Sequence, residues 1–261
     1  MIDLHTHILP GLDDGANDLA ESLAMAQVAH NDGIKTIVAT PHVLQGVFDN
    51  EKDTILAAVA ALNTALQEQN IALEVLPGAE YYLEPDLPQR LSREELLTIN
   101  DNGRYLLVEL PSGFIPEYTP QLLYEIQLQG VTPIIAHPER NLGFIKRPGD
   151  LQELISRGIL AQITSASITG FFGKEVKQSA LGFLKQGLVQ LLGSDAHSPR
   201  GRAPLLSQAV QAIEKSLGTA AAEQLAQQNS YRIVKGETLE SYSIPRKRRG
   251  WTFFRHRYRS R

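Results

Sequence analysis

The alternation of short apolar runs with longer helical patterns is the sequence feature that most constrains the fold. The runs are apolar on both faces, which is typical of buried parallel strands rather than of strands with one face in water. Seven such runs cover residues 1–4, 34–40, 71–80, 105–110, 131–137, 159–164 and 188–194. Strands that alternate with helices in this way predict a parallel α/β fold.

The segments between these runs predict the helices. The main helical patterns cover residues 19–31, 50–69, 120–129, 150–157, 173–186 and 204–217. A closed barrel fits better than an open sheet, because no Gly-x-Gly-x-x-Gly turn follows any of the predicted strands. We therefore expect an α/β fold of one domain, a distorted parallel β/α barrel of about seven strands, over residues 1–245.

Histidines and carboxylates collect where the predicted strands end. Five of the seven histidines lie at these positions, and five acidic residues lie at the same level. They are His5, His7, Asp13, Asp14, His42, Glu80, Glu109, His137, Asp195 and His197. Because the carboxyl ends of barrel strands converge on one face, residues that are far apart in the sequence should meet in one cleft.

The chemistry of this set favours metal ions. Neutral imidazoles and carboxylates suit Zn²⁺, Mn²⁺ or Fe, and the chain has no Cys that could supply a thiolate ligand or nucleophile. Acids gathered this closely would repel one another without cations. A single His-x-His or Asp-x-His pair would be a weak signal, but the whole set predicts two or three ions that share carboxylates.

The order and spacing of the motifs resemble a known superfamily. The motifs are the stretch HTHILPGLDDG at residues 5–15, Thr-Pro-His at 40–42, Gly-Ala-Glu at 78–80, Glu109, His-Pro-Glu-Arg at 137–140 and Ser-Asp-Ala-His at 194–197. Over residues 1 to about 240 this series resembles the polymerase and histidinol phosphatase (PHP) superfamily. More narrowly, it is similar to the bacterial capsular-polysaccharide tyrosine phosphatases of the CpsB/CapC type.

The resemblance implies a trinuclear site on a distorted barrel, with Mn²⁺ as the expected metal and Fe, Zn, Co or Mg left open. One ion would be held by His5, His7, Glu80 and Asp195. Glu80 would bridge to a second ion, which Glu109 and His137 also hold, and the third would be held by Asp14, His42 and His197. Asp13 is expected to be only a turn or helix-entry carboxylate.

The resemblance also implies the activity. Phosphotyrosine on a protein, such as a bacterial tyrosine kinase of capsule or exopolysaccharide synthesis, would be hydrolysed by a metal-activated hydroxide. Arg140 and Arg202 would grip the phosphate, and His42 could donate a proton. Five aromatic residues could face the substrate ring, namely Tyr81, Tyr82, Phe114, Phe171 and Phe172. The alternatives are a phosphatase of histidinol phosphate or another small molecule, and a non-catalytic metal-binding module.

The charge is divided between two parts of the chain. Residues 246–261 (RKRRGWTFFRHRYRSR) carry eight of the 25 Lys and Arg and no acid, which leaves 17 bases and 29 acids, a net −12, in residues 1–245. Bases interleaved with aromatic residues suit an anionic membrane surface as the partner of this tail, rather than nucleic acid. Docking on the acidic body of a neighbouring subunit and a flexible, solubilising tail stay open as alternatives. Without a signal peptide or spanning segment we expect a cytoplasmic protein, peripheral at the inner face of the membrane; a homo-oligomer stays open.

Overall fold

The computed structural model describes residues 1–239. Residues 240–245, at the end of the predicted domain, and the predicted tail 246–261 lie outside the described residues. The strands in residues 1–239 are β1 (Ile2–Thr6), β2 (Thr36–Ala39), β3 (His42–Val43), β4 (Glu74–Pro77), β5 (Glu80–Tyr82), β6 (Tyr105–Glu109), β7 (Thr132–Ala136), β8 (Leu160–Thr164) and β9 (Leu191–Gly193). Each of the seven predicted runs contributes at least one strand.

The strands form two parallel sheets with the orders β1-β2-β4 and β3-β5-β6-β7-β8-β9. The predicted run 34–40 contains β2, and a break separates it from β3, which was not predicted. The predicted run 71–80 contains β4 and, after a second break, the first residue of β5. Pro41 stands in the first gap, and it has no N–H to donate to a ladder. Gly78 stands in the second, where an added Cβ would come within 2.8 Å of Val38. Both breaks lie just before a polar residue, His42 or Glu80, that enters the cleft.

The sheets close into a barrel between β9 and β1. The backbone N–H of Asp195 donates to the carbonyl of His5 at 2.8 Å, and that of His7 donates to the carbonyl of Ala196 at 2.8 Å. A parallel bridge also joins Thr6 to Ala196. Counting β2 with β3 and β4 with β5, seven strand positions surround the barrel, so the predicted distorted β/α barrel is confirmed.

Helices cover the outside of the barrel. They are α1 (Leu19–Asn31), α2 (Lys52–Glu68), α3 (Leu87–Ser92), α4 (Thr119–Gln127), α5 (Leu142–Lys146), α6 (Pro148–Ser156), α7 (Ser165–Thr169), α8 (Lys174–Gln186), α9 (Ser207–Leu217), α10 (Thr219–Glu223) and α11 (Asn229–Lys235). The helices α3, α5, α7, α10 and α11 were not predicted, because five to seven residues are too few to show a helical period. No helix in residues 1–239 combines the length and the apolar character needed to cross a bilayer.

Helix α11 packs across the amino ends of the strands. Its buried Ile233 lies in the same apolar cluster as Leu4 of β1 and Leu107 of β6. The chain that follows α11 stays at this end, because the hydroxyl of Tyr105, the first residue of β6, donates to the carbonyl of Glu237 at 2.6 Å. The described chain therefore ends at the amino face of the barrel, opposite the strand ends that carry the predicted site.

Candidate metal centre

The nine predicted metal ligands lie together at the carboxyl ends of the strands. These residues include three groups that could each hold a metal ion. Within a group, each residue offers one ligand atom, and these atoms all lie within 4.8 Å of one another. The groups are His7, Asp14, His42 and His197; His5, His7 and Glu80; and His42, Glu80 and Glu109. Asp195 and His137 contact the second and third groups, at distances given below. Residues from β1 to the segment after β9 thus meet in one cleft.

Four residues, His5, His7, Glu80 and Asp195, form what we call the inner group, and each contributes one ligand atom. His5 Nε2 lies 3.2 Å from His7 Nε2, 3.2 Å from Glu80 Oε2 and 3.5 Å from Asp195 Oδ1. His7 Nε2 lies 3.5 Å from Glu80 Oε2 and 3.3 Å from Asp195 Oδ1. Atoms placed tetrahedrally at about 2.1 Å from an ion would lie about 3.4 Å apart. The spacing of the inner group therefore fits an ion.

Glu80 faces two sides of the cluster. Its Oε2 is buried and has no hydrogen-bond donor within the described residues, although His42 Nδ1 lies 3.1 Å away. Its Oε1 lies 3.0 Å from His137 Nε2, and this nitrogen lies 3.6 Å from Glu109 Oε1. A buried oxygen without a donor is costly unless a cation satisfies it. Glu80 is therefore placed to be shared between two ions.

An outer group, defined as His7, Asp14, His42 and His197, borders the solvent. Asp14 Oδ1 lies 3.2 Å from His197 Nε2 and 3.6 Å from His42 Nε2, and the Asp14 side chain is 54% exposed. The rings of His7 and His197 have their centroids 3.9 Å apart. His7 thus stands beside both groups, whereas the resemblance placed it with one ion only.

Acceptors behind the rings fix the orientation of two imidazoles. His5 Nδ1 lies 2.8 Å from Gln162 Oε1, and His197 Nδ1 lies 3.1 Å from the Asp195 carbonyl oxygen. Both partners are acceptors, so each Nδ1 carries the hydrogen and each Nε2 offers its lone pair to the cleft. Metal-binding histidines usually have such a second partner. The sequence analysis missed Gln162, which stands out as a fully buried amide in the otherwise apolar run of β8.

Asp13 has a further role besides the predicted one of stabilising a turn. Its Oδ1 accepts the N–H of Gly15 at 2.9 Å, as expected of a turn carboxylate. Its Oδ2, however, lies 2.6 Å from His7 Nδ1 and also accepts the backbone N–H of His42 at 2.9 Å. The expectation was therefore incomplete, because Asp13 also lies behind His7 in the same way that Gln162 lies behind His5.

The pKa shifts of His137 and Glu80 favour the protonation states that metal ligands need, whereas those of Glu109, His5 and His7 go the other way, so protons would compete with metal at these three residues. Burial, aided by the charge of Arg140, lowers the pKa of His137 to about 4, so this imidazole is neutral. Burial alone would raise the pKa of Glu80, but the surrounding histidines hold it well below its ordinary value. Burial and the charge of Glu80 raise the pKa of Glu109 to about 7. Neutral imidazoles and ionised carboxylates are the forms that bind metal.

Two ligand positions have an unusual backbone. His137 has φ of 30° and Asp195 has φ of 52°, in the left-handed region that non-glycine residues seldom adopt. His137 follows directly on the end of β7, and Asp195 lies two residues after the end of β9. Such conformations persist only where surrounding contacts hold them, and they are frequent at functional sites. Here the turn directs each side chain into the cleft.

The two predicted arginines lie beside the inner group. Arg140 and Arg202 both donate to Asp195 Oδ2, and the Arg202 contact is 2.7 Å long. The Nε of Arg202 is buried without an acceptor in the described part of the chain. The ring of Phe172 lies under both guanidinium groups, with its centroid 4.9 Å from Arg140 Cζ and 5.9 Å from Arg202 Cζ. The pair therefore has donor capacity left for an anion.

The aromatic prediction is wrong for Tyr81. Its side chain is buried and its hydroxyl accepts the backbone N–H of Leu97 at 2.6 Å, so it belongs to the core. Phe114 and Phe171 are more than half exposed. The sequence analysis missed Phe48, which stacks on the ring of His42 with a centroid distance of 5.7 Å. It follows a short turn that carries no chemical motif of its own.

The fold and the cluster together define a class of protein, a parallel β/α barrel that can hold several metal ions at the carboxyl ends of its strands. The chain belongs to the CpsB/CapC family of capsular polysaccharide synthesis, whose family model matches residues 1–235. The resemblance that the motifs predicted is therefore confirmed over almost all of the described residues.

Two relatives and one solved structure show the extent of the similarity. The chain is 40% identical over 239 residues to the tyrosine-protein phosphatase YwqE of Bacillus subtilis (strain 168), covering 92% of this chain and 93% of the relative. It is 32% identical over 244 residues to the tyrosine-protein phosphatase CpsB of Streptococcus pneumoniae, covering 92% and 100%.

The solved structure is one of those of YwqE from Bacillus subtilis and CpsB from Streptococcus pneumoniae, described there as unique metal-dependent tyrosine phosphatases. It matches with a TM-score of 0.89 at 40% identity, over 93% of this chain and 97% of the solved one.

Proposed function

We propose that this protein is a metal-dependent protein-tyrosine phosphatase. The observation that carries the proposal is the placement of Glu80 between two ligand-spaced groups, directly beside the two arginines on Asp195. A binding module would need ligands but not two guanidinium groups with unfilled donors at the edge of the metal cluster. Relatives that carry the name tyrosine-protein phosphatase support the same activity.

The three ligand groups support a site for up to three ions. We propose Mn²⁺ as the resident metal, with Fe, Zn, Co and Mg as competitors in a metal analysis. The inner group would hold one ion. Glu80, Glu109 and His137 would hold the second, and Asp14, His42 and His197 the third, with His7 beside it. When bound, the ions supply Lewis-acid stabilisation of the phosphate charge and a water of lowered pKa.

The residues of the chain supply binding and orientation. Arg140 and Arg202 would hold phosphoryl oxygens through charge-assisted hydrogen bonds, and Phe172 keeps both guanidinium groups in place. Asp195 anchors the two arginines through Oδ2 while its Oδ1 faces the imidazoles. Because the phenol of tyrosine has a pKa of about 10, its phenolate is a better leaving group than an alkoxide. Protonation of the leaving group therefore contributes less here than in the hydrolysis of an alkyl ester.

His42 is better placed as a ligand than as a proton donor. Its Nδ1 lies 3.1 Å from Glu80 Oε2, and its Nε2 lies 3.6 Å from Asp14 Oδ1. Both ring nitrogens therefore face carboxylates of the cluster, and no third nitrogen is left for a leaving group. We assign His42 to the outer group.

The proposed substrate is phosphotyrosine on a protein, with a bacterial tyrosine kinase of capsule or exopolysaccharide synthesis as the partner. The family's link to capsular polysaccharide synthesis supports this choice. The exposed rings of Phe114 and Phe171 support it too, because an aromatic surface near a phosphate site suits a phosphorylated ring.

Removal of metal tests the proposed function. Protein treated with EDTA should lose hydrolysis of p-nitrophenyl phosphate and regain it with Mn²⁺, because the phosphate charge and the water both depend on the ions. A phosphotyrosine peptide should be turned over faster than histidinol phosphate. Full activity after metal removal would contradict the proposal, a preference for histidinol phosphate would favour a small-molecule phosphatase, and Mn²⁺ binding without turnover would favour a binding module.

We also propose a cytoplasmic protein that associates with anionic membrane surfaces through residues 246–261. Those residues carry eight bases and four aromatic side chains. The described chain ends at the amino face of the barrel, where Lys35, Arg104 and Lys235 are exposed near the starts of strands or at the end of α11. Bases near an anionic surface contribute about 1 kcal/mol each, and both regions would add to the same attraction.

Vesicle binding tests this association. The full chain should sediment with phosphatidylglycerol vesicles but not with phosphatidylcholine vesicles. Replacing the four bases at 246–249 with Gln should weaken the binding by more than a hundredfold, from about 1 kcal/mol per base. The same substitution of four bases on α5 and α8, Lys146, Lys174, Lys177 and Lys185, is the matched control. Equal binding of the full chain to both kinds of vesicle would contradict the proposal.

A further inference from the structure

Asp13 connects three segments that carry the outer group. Its side chain is 1% exposed, although it lies between the half-exposed Asp14 and the cleft. One oxygen receives two hydrogen bonds, from the ring of His7 and from the backbone N–H of His42. The other oxygen receives the N–H of Gly15 and so closes the turn that holds Asp14. A single carboxylate therefore fixes parts of three of the four members of the outer group.

The bond to His7 determines which ring nitrogen carries the hydrogen. An ionised carboxylate can only accept, so at 2.6 Å from Asp13 Oδ2 the Nδ1 of His7 must be the donor. In the neutral imidazole, which is the form that binds metal, Nε2 of His7 is then left with its lone pair, and this atom faces Glu80 and Asp195 at 3.5 and 3.3 Å. With the hydrogen on Nε2 instead, His7 could not be a ligand to either group.

The turn at Asp14 is packed directly on His7. A Cβ added to Gly15 would overlap the backbone carbonyl of His7, so there is no space for the turn to shift inwards. The N–H of Ala16 also donates to that carbonyl, at 3.1 Å. The position of the exposed Asp14 side chain therefore depends on the bonds that Asp13 makes below it.

We infer that Asp13 is a positioning residue that holds the outer group in its metal-binding arrangement. It orients the ring of His7 and fixes the backbone at His42 and the turn at Asp14. The inner group depends on Asp13 through His7 alone, so loss of Asp13 weakens the outer ion most. The inference rests on the proposed metal ligands, but it does not depend on the phosphatase reaction.

The Asp13→Asn variant of the full chain tests the inference. An amide nitrogen at the Oδ2 position would face the donors of His7 and His42, and an amide nitrogen at the Oδ1 position would face the N–H of Gly15 and release the turn that holds Asp14. Either orientation also removes the negative charge beside His7. Calorimetric titration of metal-stripped protein with Mn²⁺ should show the weakest ion bound 10–100-fold more weakly, the usual effect of removing such a partner. The tighter ions should change much less. Asp13→Glu, which keeps a carboxylate, should restore part of the loss.

The matched control is Asp18→Asn, at the exposed N-cap of α1, where Asn caps as well as Asp and Mn²⁺ binding should stay as in the wild type. Wild-type affinity in Asp13→Asn would overturn the inference, and so would an equal loss at every ion. If the wild type binds no Mn²⁺, the proposed function fails as well.

A second measurement does not depend on whether the Asn variant folds. Nitrogen-15 NMR of the metal-stripped wild type, at a pH where the His7 ring is neutral, should place its hydrogen on Nδ1, and a neutral ring with the hydrogen on Nε2 would overturn the inference.

Discussion

Glu80→Gln is expected to lower the hydrolysis of p-nitrophenyl phosphate by much more than 100-fold. Removal of a residue that only supports a ligand typically costs 10–100-fold. Both carboxylate oxygens of Glu80 face imidazole nitrogens, Oε2 towards His5 at 3.2 Å and Oε1 towards His137 at 3.0 Å. An amide would put a donor into a group of ligand atoms and would remove the negative charge that the ions need. Because Glu80 is shared, we expect the variant to retain at least one ion fewer than the wild type.

Metal content by mass spectrometry and the rise of Tm with added Mn²⁺ check this result alongside turnover. Binding to the folded state raises stability in proportion to the occupied sites, so the Mn²⁺-dependent rise in Tm should shrink in Glu80→Gln. Glu153→Gln is the control, since Glu153 lies on the outer surface and pairs with Arg157. A Glu80→Gln protein with the wild-type ion count and turnover would show that Glu80 is not a shared ligand.

Arg202→Ala is expected to lower kcat/KM for p-nitrophenyl phosphate by about 10²–10³, the usual cost of removing one donor to a charged transition state. The Arg202 guanidinium has a buried Nε with no acceptor among the described residues, next to the carboxylate that it shares with Arg140. Arg202→Lys should recover only part of the loss, because an ammonium group keeps the charge but not the planar fork. The Mn²⁺ content should remain that of the wild type.

Arg200→Ala is the matched control in the same loop. Arg200 is exposed and contributes its carbonyl oxygen, not its side chain, to the bond with Ser198. We expect near wild-type kinetics for this variant. If Arg200→Ala lost activity while Arg202→Ala kept it, the arginine that meets phosphate would be Arg200. If Arg202→Ala lost its metal, the role of Arg202 would be to support Asp195.

The parts of the site that the sequence predicted are those fixed by strand ends. His5 lies near the end of β1, and Glu80 comes just after the break that ends β4. His137 and Asp195 come just after β7 and β9, and the parallel topology alone brings such positions to one face. Local periodicity was enough to find most of these strands. It missed β3 after the run 34–40 and joined β4 to the start of β5 in the run 71–80, because the breaks at Pro41 and Gly78 depend on contacts between neighbouring strands.

Residues behind the ligands could not be found in the same way. Asp13 reads locally as a turn residue, and nothing in the sequence says that the turn folds back onto His7. Gln162 reaches His5 across 157 positions of the chain. Tyr81 was misplaced because it was grouped with its neighbour Tyr82, although successive side chains of a strand point to opposite faces.

The position of α11 places the end of the described chain on the side of the barrel opposite the cleft. Helix α11 and residues 236–239 lie at the amino face of the barrel, and the imidazoles and carboxylates lie at the opposite end. A chain tethered through its C-terminal end would present its mouth outwards, away from whatever holds the tether. In such an arrangement the distance of a phosphorylated residue from the tethering surface would decide whether it is a substrate. A residue on a long, extended segment could enter the cleft, whereas a residue held against the surface could not.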